Sequence, residues 1–446
     1  MTTIKLDPGA ALLLDALHGA GHAAYAVGGC VRDSLLGLAP HDWDLCTSAR
    51  PEQVMALFGE EKCIPTGLQH GTVTVKQGGR LYETTTFRTE GTYSDGRHPD
   101  AVCFVPDVRE DLARRDFTIN AMAYSAEEGF IDPFGGRDDL AAHLVRAVGE
   151  PERRFEEDAL RILRLYRFAA RFGFAIDPAT GTAARALGPH LDCVSAERIQ
   201  EELLKLLAAP RPGSYLEPAV LAVVLPELEP EKQPERFAEL CRTIDRIEPT
   251  AENVPTRLAA LLCPLGEVGA RKALRKLKCS NALTDEVTAL EREAGGGAGS
   301  FSKDRPLGWD PVAAGNRAGD GMARFVSKEK APGTPNTTLT VQAKRLLSRY
   351  ELPTIQRLTV LCSARHPEQT GAFAALRAEA EQLTAENACC RVSQLAVNGR
   401  DLMAAGVRPG PGLRQVLNAL LEAVITGQTP NEKDALLAAA AQFSAS

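Results

Sequence analysis

Ala23-Ala24-Tyr25-Ala26-Val27-Gly28-Gly29-Cys30-Val31-Arg32-Asp33 changes from one kind of backbone to another within a few residues. The apolar run Ala23–Val27 has the length of a buried strand, the glycine pair permits a sharp turn, and a helix is predicted to begin directly after it. Paired glycines also let a backbone approach a phosphate, and the helix N-terminus adds unpaired N–H groups with Arg32 close by. An ordinary structural turn explains the same glycines equally simply. The stretch is neither the Gly-x-Gly-x-x-Gly of a dinucleotide fold nor a Walker loop, which counts against dehydrogenase and P-loop chemistry.

Outward from this turn, Trp43–Cys46, Gly71–Lys76, Leu81–Phe87 and Val102–Val105 read as further strands, and a second helix is expected after Asp116. Residues 1–145 therefore form a mixed α/β region. From about Pro151 onward strand signals fade and amphipathic, Pro- and Gly-punctuated helical patterns take over. The fold class is α+β, a small mixed sheet with helices followed by an all-helical remainder. Gly295 to Thr338, with its Gly-Gly-Gly-Ala-Gly start and scant apolar periodicity, is expected to be a disordered or loosely packed insertion.

The whole chain limits the function classes. Its 446 residues are 44% hydrophobic and 24% charged, with a net charge of −7. No basic, export-type leader is visible, and no apolar run approaches the roughly 18 residues that span a bilayer, so a cytoplasmic protein without a membrane partner is expected. The eleven cysteines show no Cys-x-x-Cys spacing, and reduced thiols are the expected state. A negative total does not exclude a polyanionic partner, because local patches make phosphate contacts. Arg271, Lys272, Arg275, Lys276 and Lys278 form one such patch, with a solvated helix face as the ordinary explanation.

His41-Asp42-Trp43-Asp44-Leu45 carries a carboxylate pair. On extended backbone Asp42 and Asp44 share one face while Trp43 points to the other, and two like charges on one face invite a hard divalent cation such as Mg²⁺. Glu83 on Leu81–Thr84 has the parity to be a third carboxylate. Arg114-Arg115-Asp116 places two guanidinium groups, suited to phosphate and ribose oxygens, beside an acid at a helix start. Glu157-Asp158 with Arg161 puts an acceptor and a donor three residues apart. On one helix they are neighbours, and together they complement a base that shows an exocyclic amino group beside a ring-nitrogen acceptor. Cytosine and adenine do so; uracil and guanine place a carbonyl there. An i,i+3 ion pair fits the same spacing.

The order Gly28-Gly29-x-Val31-Arg32-Asp33, Asp42-x-Asp44, Arg114-Arg115-Asp116-Phe117-Thr118-Ile119-Asn120-Ala121 and Glu157-Asp158-x-x-Arg161 closely resembles the class II nucleotidyltransferases, specifically the bacterial CCA-adding tRNA nucleotidyltransferases. The likeness continues through Asp132–Gly136, Arg161–Phe168 and Val194–Ile199, thins between about 210 and 390, and returns at Val397–Met403 and Pro409–Gly412. It implies a catalytic head (1–145), a helical neck that recognises the base (146–210), a helical body (211–345, with the insertion at 295–338) and a tRNA-binding tail (346–446). It implies Asp42 and Asp44 as catalytic, Mg²⁺-holding residues. Gly29, Arg32 and Arg115 would contact the triphosphate or sugar. Asp158 and Arg161 would be the base template, steadied by Glu157, and Arg164 and Arg167 would help hold the nucleotide. The implied partners are CTP, ATP, the 3′ end and acceptor region of tRNA, and a second copy of the chain.

A bacterial poly(A) polymerase shares the head motifs, but the 397–403 segment favours the tRNA enzyme. An enzyme restricted to CC or to A addition is a second alternative; Arg88–Pro99, similar to the flexible loop of full CCA enzymes, counts against the CC-only form. An inert tRNA-binding relative is opposed by the intact Asp42, Asp44, Asp158 and Arg161. No His-Asp pair with flanking histidines in the helical half suggests an attached phosphohydrolase.

Overall fold

The computed structural model describes residues 3–91, 102–295 and 338–443. Most of the expected insertion and of the Arg88–Pro99 loop motif lies outside the described residues. The chain divides into two compact units, residues 1–245 with 276–279 and residues 246–275 with 280–446.

In the first unit the elements run α1 (Pro8–Gly19), β1 (Ala24–Val27), α2 (Gly29–Leu35), β2 (Leu45–Thr47), α3 (Pro51–Phe58), β3 (Cys63–Gly67), β4 (Thr72–Gln77), β5 (Arg80–Thr86), β6 (Arg88–Glu90) and β7 (Val102–Phe104). They continue through α4 (Val108–Ala113), β8 (Ala123–Ser125), β9 (Gly129–Ile131), α5 (Gly136–Ala141), β10 (Leu144–Val145), α6 (Pro151–Glu157), α7 (Leu160–Phe172), β11 (Ala175–Ile176), α8 (Pro178–Ala186) and α9 (Ala196–Leu207). Seven strands make one mixed sheet in the order β3-β4-β5-β2-β1-β8-β9, with β2 and β5 parallel. The β4–β5 hairpin turns through Gly78 and Gly79, both at positive φ, as its tight connection demands. Tyr25, Val27, Cys46, Phe87, Leu112, Ala123 and Val148 form the core under the sheet, with Tyr25 stacked on Phe87 at 6.1 Å.

The strands begun at Ala24, Leu45, Thr72 and Arg80 fall within a residue or two of the sequence reading. Three expectations are corrected. The helix expected after Asp116 is a single 3₁₀ turn, Thr118–Asn120, because the Asp116 carboxylate takes the Phe117 N–H and the Asn120 amide and the chain then enters β8. The remainder after Pro151 is not wholly helical, since Ala175–Ile176 pairs parallel with Leu144–Val145. The continuous helix expected over 156–167 is broken at Asp158, which sits at φ −148°, ψ 102° between α6 and α7.

The first unit also holds α10 (Pro218–Val224) and most of α11 (Pro234–Arg246). The second carries α12 (Val254–Leu262), α13 (Gly266–Lys276), α14 (Asn281–Glu293), α15 (Thr338–Leu347), α16 (Leu352–Arg365), α17 (Thr370–Ala385), α18 (Gly399–Ala404), α19 (Pro411–Thr426) and α20 (Lys433–Phe443). Leu402, Leu420, Val424 and Leu436 centre the core of the last three helices, and the Asn398–Asp401 capping box starts α18. In the basic patch, Arg271 is held by Asp285 at 2.9 Å and Lys278 by Glu197 at 3.3 Å, so part of its charge is spent on neighbouring carboxylates. All eleven cysteines are free. No helix among the described residues is long and apolar enough to cross a membrane.

One acid in the second unit lies outside any hydrogen-bond network. Glu291 is fully buried on α14, and neither carboxyl oxygen has a partner. Burial pushes its carboxyl up to about 8, against the opposing pull of Arg365. The native state thus keeps a proton that the unfolded chain releases near its ordinary value of 4.5, so stability falls as pH rises from there towards 8. Glu291→Gln is expected to raise stability by ~2 kcal/mol at pH 8 and by little at pH 4.5, measured by denaturant melts at both pH values; an equal effect at both would refute this account.

Candidate active site

The carboxylates lie where β1 ends and β2 begins. Trp43 is buried while Asp42 and Asp44 on either side are exposed, the alternation that extended backbone requires. The Asp44 carbonyl accepts the Val27 N–H at 3.0 Å, which fixes this edge against the start of the glycine turn. Strand β2 pairs with β5 as Leu45 opposite Thr84, so one step back along both strands sets Asp44 opposite Glu83. Asp44 is open to water yet crowded by protein. Desolvation, with the charges of Glu83 and Asp42, pushes its carboxyl up to about 6 against the pull of Arg115. Asp42 meets His41 Nδ1 at 2.9 Å in solvent. Among the described residues no three His, Cys, Asp or Glu side chains already form a metal cage. The donors available are hard oxygens on one face whose repulsion a divalent cation would relieve, and that chemistry fits Mg²⁺.

Beside them, Gly28 has φ +76°, and a Cβ there would stand 2.9 Å from Arg115 Nη1. Gly29 opens α2 and would tolerate a Cβ, so Gly28 is the more demanding position of the pair. Arg115 donates to the buried Asp111 at 3.2 Å, and its Nε has no partner. Asp111 also takes Arg114 at 2.9 Å; despite burial, Arg115 and Arg114 hold its carboxyl below the ordinary value.

The arginines expected to hold nucleotide are braced by protein. Arg32 is buried, donating to Asp33 and to Asn120 Oδ1, with its guanidinium over the rings of Phe168 and Phe172 at 5.2 and 4.9 Å. Arg164 forks onto Asp116 at 2.9 and 2.7 Å and approaches Glu202 at 3.9 Å, while keeping about a third of its surface, 34%, exposed. Arg167 is buried against Glu202 at 2.5 Å.

Asp158 and Arg161 do not form the i,i+3 pair that one helix would give. With the helix broken between them, Asp158 is forked by Arg198 at 3.2 and 2.8 Å and accepts the Leu160 N–H at the start of α7 at 3.1 Å. Arg161 donates to Glu157 at 2.9 Å, and to the carbonyls of Arg154 and Arg114 at 3.2 and 3.1 Å. Glu157, expected to steady the template, does hold Arg161. Arg198, Glu202, Asn120 and Asp111 were not singled out in the sequence. Arg198 and Glu202 are four residues apart in α9, one face of a helix, and that spacing was a usable signal.

Three family models match the chain. The poly A polymerase head domain covers residues 24–146, a polymerase A RNA-binding-site model 173–232, and a tRNA nucleotidyltransferase domain 2 model 347–440. The CCA-adding enzyme of Lactobacillus helveticus is 35% identical over 426 residues, 95% of this chain and 94% of that one. The chain belongs to the family of CCA-adding enzymes. It is a nucleotidyltransferase, and nucleotidyltransferases of this class are metal-dependent. The CCA-adding enzyme of Geobacillus stearothermophilus is likewise 35% identical, over 94% of this chain and 92% of its own. The crystal structure of the Bacillus stearothermophilus CCA-adding enzyme in complex with CTP matches with a TM-score of 0.74 at 32% identity, covering 98% of each chain. The head match ends before the stretch where the sequence motifs thin out, and the tail match begins inside it, at residue 347.

Gly28→Ala forces a Cβ against Arg115 on a backbone that L side chains rarely adopt. Nucleotide incorporation is expected to fall about tenfold to a hundredfold, with a loss of about 1 kcal/mol in stability, whereas Gly29→Ala is milder. Steady-state kinetics and thermal melts of the two variants check the order.

Proposed function

We propose that this member of the family adds C, C and A in turn to the 3′ end of tRNA, using CTP and ATP, releasing pyrophosphate and needing no nucleic-acid template. The observation that carries this reading is a base-complementary pair in the same compact unit as the carboxylate edge. Among the described residues Asp158 Oδ2 accepts one bond and has room for another, and the Arg161 Nε–H makes none. An acceptor and a donor left open together suit the amino group and ring nitrogen of cytosine or adenine.

In this reading Asp42 and Asp44 hold Mg²⁺, with Glu83 next to Asp44. The ion, when bound, neutralises triphosphate charge and lowers the pKa of the attacking hydroxyl. Gly29, with Gly28 beside it, brings backbone close to the phosphates, and Arg115 offers its unpartnered Nε–H to an oxygen of the triphosphate or sugar. Arg32, Arg164 and Arg167 bind the nucleotide partly through the frame they hold together, Arg164 being the one of the three that reaches water most. The tRNA 3′-hydroxyl loses its proton and attacks the α-phosphorus; the bond from the α-phosphorus to the oxygen bridging to the β-phosphate breaks, and pyrophosphate leaves intact. Residues 1–145 act as the catalytic head, 146–210 as the base-reading neck, 211–345 as the body and 346–446 as the tail that grips the acceptor region. A second copy of the chain completes a homodimer, and the cytoplasm is the compartment.

Purified protein with Mg²⁺, one labelled nucleotide at a time, and tRNA ending at the discriminator base, C or CC, tests this directly. Two C from CTP and one A from ATP are expected. Long A tails on varied RNAs would instead give a poly(A) polymerase, and C-only or A-only incorporation a partial enzyme. Asp42→Ala and Asp44→Ala are each expected to lower addition of both nucleotides by more than a thousandfold while tRNA still binds in a filter assay; full turnover would remove the metal assignment. Asp158→Ala combined with Arg161→Ala is expected to relax discrimination against UTP and GTP more than it weakens triphosphate binding, measured by competitive incorporation.

A further inference from the structure

Asp158 is held by something other than the helix it was expected to belong to. Its backbone is extended, so the helical rule that aims side chains at i and i+3 along one face does not orient its carboxylate. Arg198, one helix away on α9, supplies the orientation. Its Nη1 reaches Oδ1 at 3.2 Å and its Nη2 reaches Oδ2 at 2.8 Å, a two-pronged fork that fixes the carboxylate plane. The Leu160 N–H at 3.1 Å takes a second site on Oδ1. Oδ1 therefore accepts twice and Oδ2 once, and the acceptor position left open lies on Oδ2. Both side chains remain reachable by solvent, 20% for Arg198 and 15% for Asp158. Glu202, one turn further along the same face of α9, meets Arg167 and Arg164, so Arg198 rides on an anchored helix.

We infer that Arg198 is a specificity-determining positioning residue, whose fork aims the open acceptor of Asp158 Oδ2 at the incoming base so that an amino group is accepted and a carbonyl refused. This rests on the reading of Asp158 and Arg161 as the base-reading pair. Without the fork the carboxylate rotates about its side-chain bonds. An oxygen no longer stands fixed opposite the C4 position, and a uracil that swings its N3–H toward the carboxylate is tolerated. Arg198 itself presents only donors, and one from each of Nη1 and Nη2 is committed to Asp158.

The test measures single incorporations on tRNA lacking its 3′ end, with CTP and with UTP, in wild type, Arg198→Met, Arg198→Lys and Asp158→Ala, alongside thermal melts. Arg198→Met keeps the apolar stem and removes the fork; Arg198→Lys keeps the charge and one prong. The CTP-over-UTP ratio of kcat/KM is expected to fall at least tenfold in Arg198→Met and by an intermediate factor in Arg198→Lys. A ratio that falls in Asp158→Ala but holds in Arg198→Met, or a loss equal for both nucleotides, overturns the inference and leaves the base-reading pair standing. An unchanged ratio in Asp158→Ala overturns the base-reading pair itself, and this inference with it. Should Arg198→Met fail to fold, an unchanged ratio in Arg198→Lys is the overturning result.

Discussion

The buried carboxylate of Asp116 joins the sheet-bearing part of the chain to the long helix α7. It takes the Phe117 N–H at 2.8 Å, the Asn120 amide at 3.0 Å and two donors of Arg164 at 2.9 and 2.7 Å. An ionised carboxylate buried without partners is costly by several kcal/mol. Here burial alone would push the Asp116 carboxyl up, but Arg164 and Asn120 hold it well below the usual range, so the charge is kept. Satisfying one acid fixes three things. It shapes the turn into β8, sets the Asn120 oxygen that receives Arg32, and turns Arg164 towards Glu202. Arg32, with Asp33, then meets Arg171 from the far end of α7. The arginines of α7 are thus placed by acids of residues 1–145, of α6 and of α9.

The two sides of the site differ electrostatically. Along α7 each guanidinium has a carboxylate partner, which makes that side stiff. At the start of β2 the reverse holds: Asp44 and Glu83 have no ion pair among the described residues, and Arg115, the opposing charge on Asp44, is shared with the buried Asp111. Local repulsion left in place on a rigid sheet edge stores a preference for a cation. On the proposed reading, preorganised arginines and a carboxylate edge short of positive charge complement a nucleotide that brings triphosphate and metal together.

The strand, glycine turn and helix at Ala23–Asp33 were legible because local composition and tertiary structure agree there, and so was the alternation of Asp42, Trp43 and Asp44. The break at Asp158 was not. Glu156 to Arg167 is mostly good helix formers, and Asp158 is one weak helix former among them. The break is favoured by tertiary terms as well: Arg198 arrives from forty residues away in sequence, and the Asp158 side chain accepts the Leu160 N–H at the start of the new helix. The turn after Asp116 was misread for a related reason. An acid before an apolar run is a helix-start signal, but its carboxylate here serves Arg164 as well as the local N–H, and the chain is needed in β8.

The break has a chemical consequence that a continuous helix would lack. On one helix Asp158 and Arg161 would be neighbours and would tend to neutralise each other, leaving little open valence for a base. Separated, each is held by a different partner, Asp158 by Arg198 and Arg161 by Glu157, and each partner uses only part of its hydrogen-bonding capacity. Two crossed ion pairs keep both groups oriented and incompletely satisfied. A template made of protein needs that condition, because a base selected by hydrogen bonds must find acceptor and donor fixed in place and still free to bond.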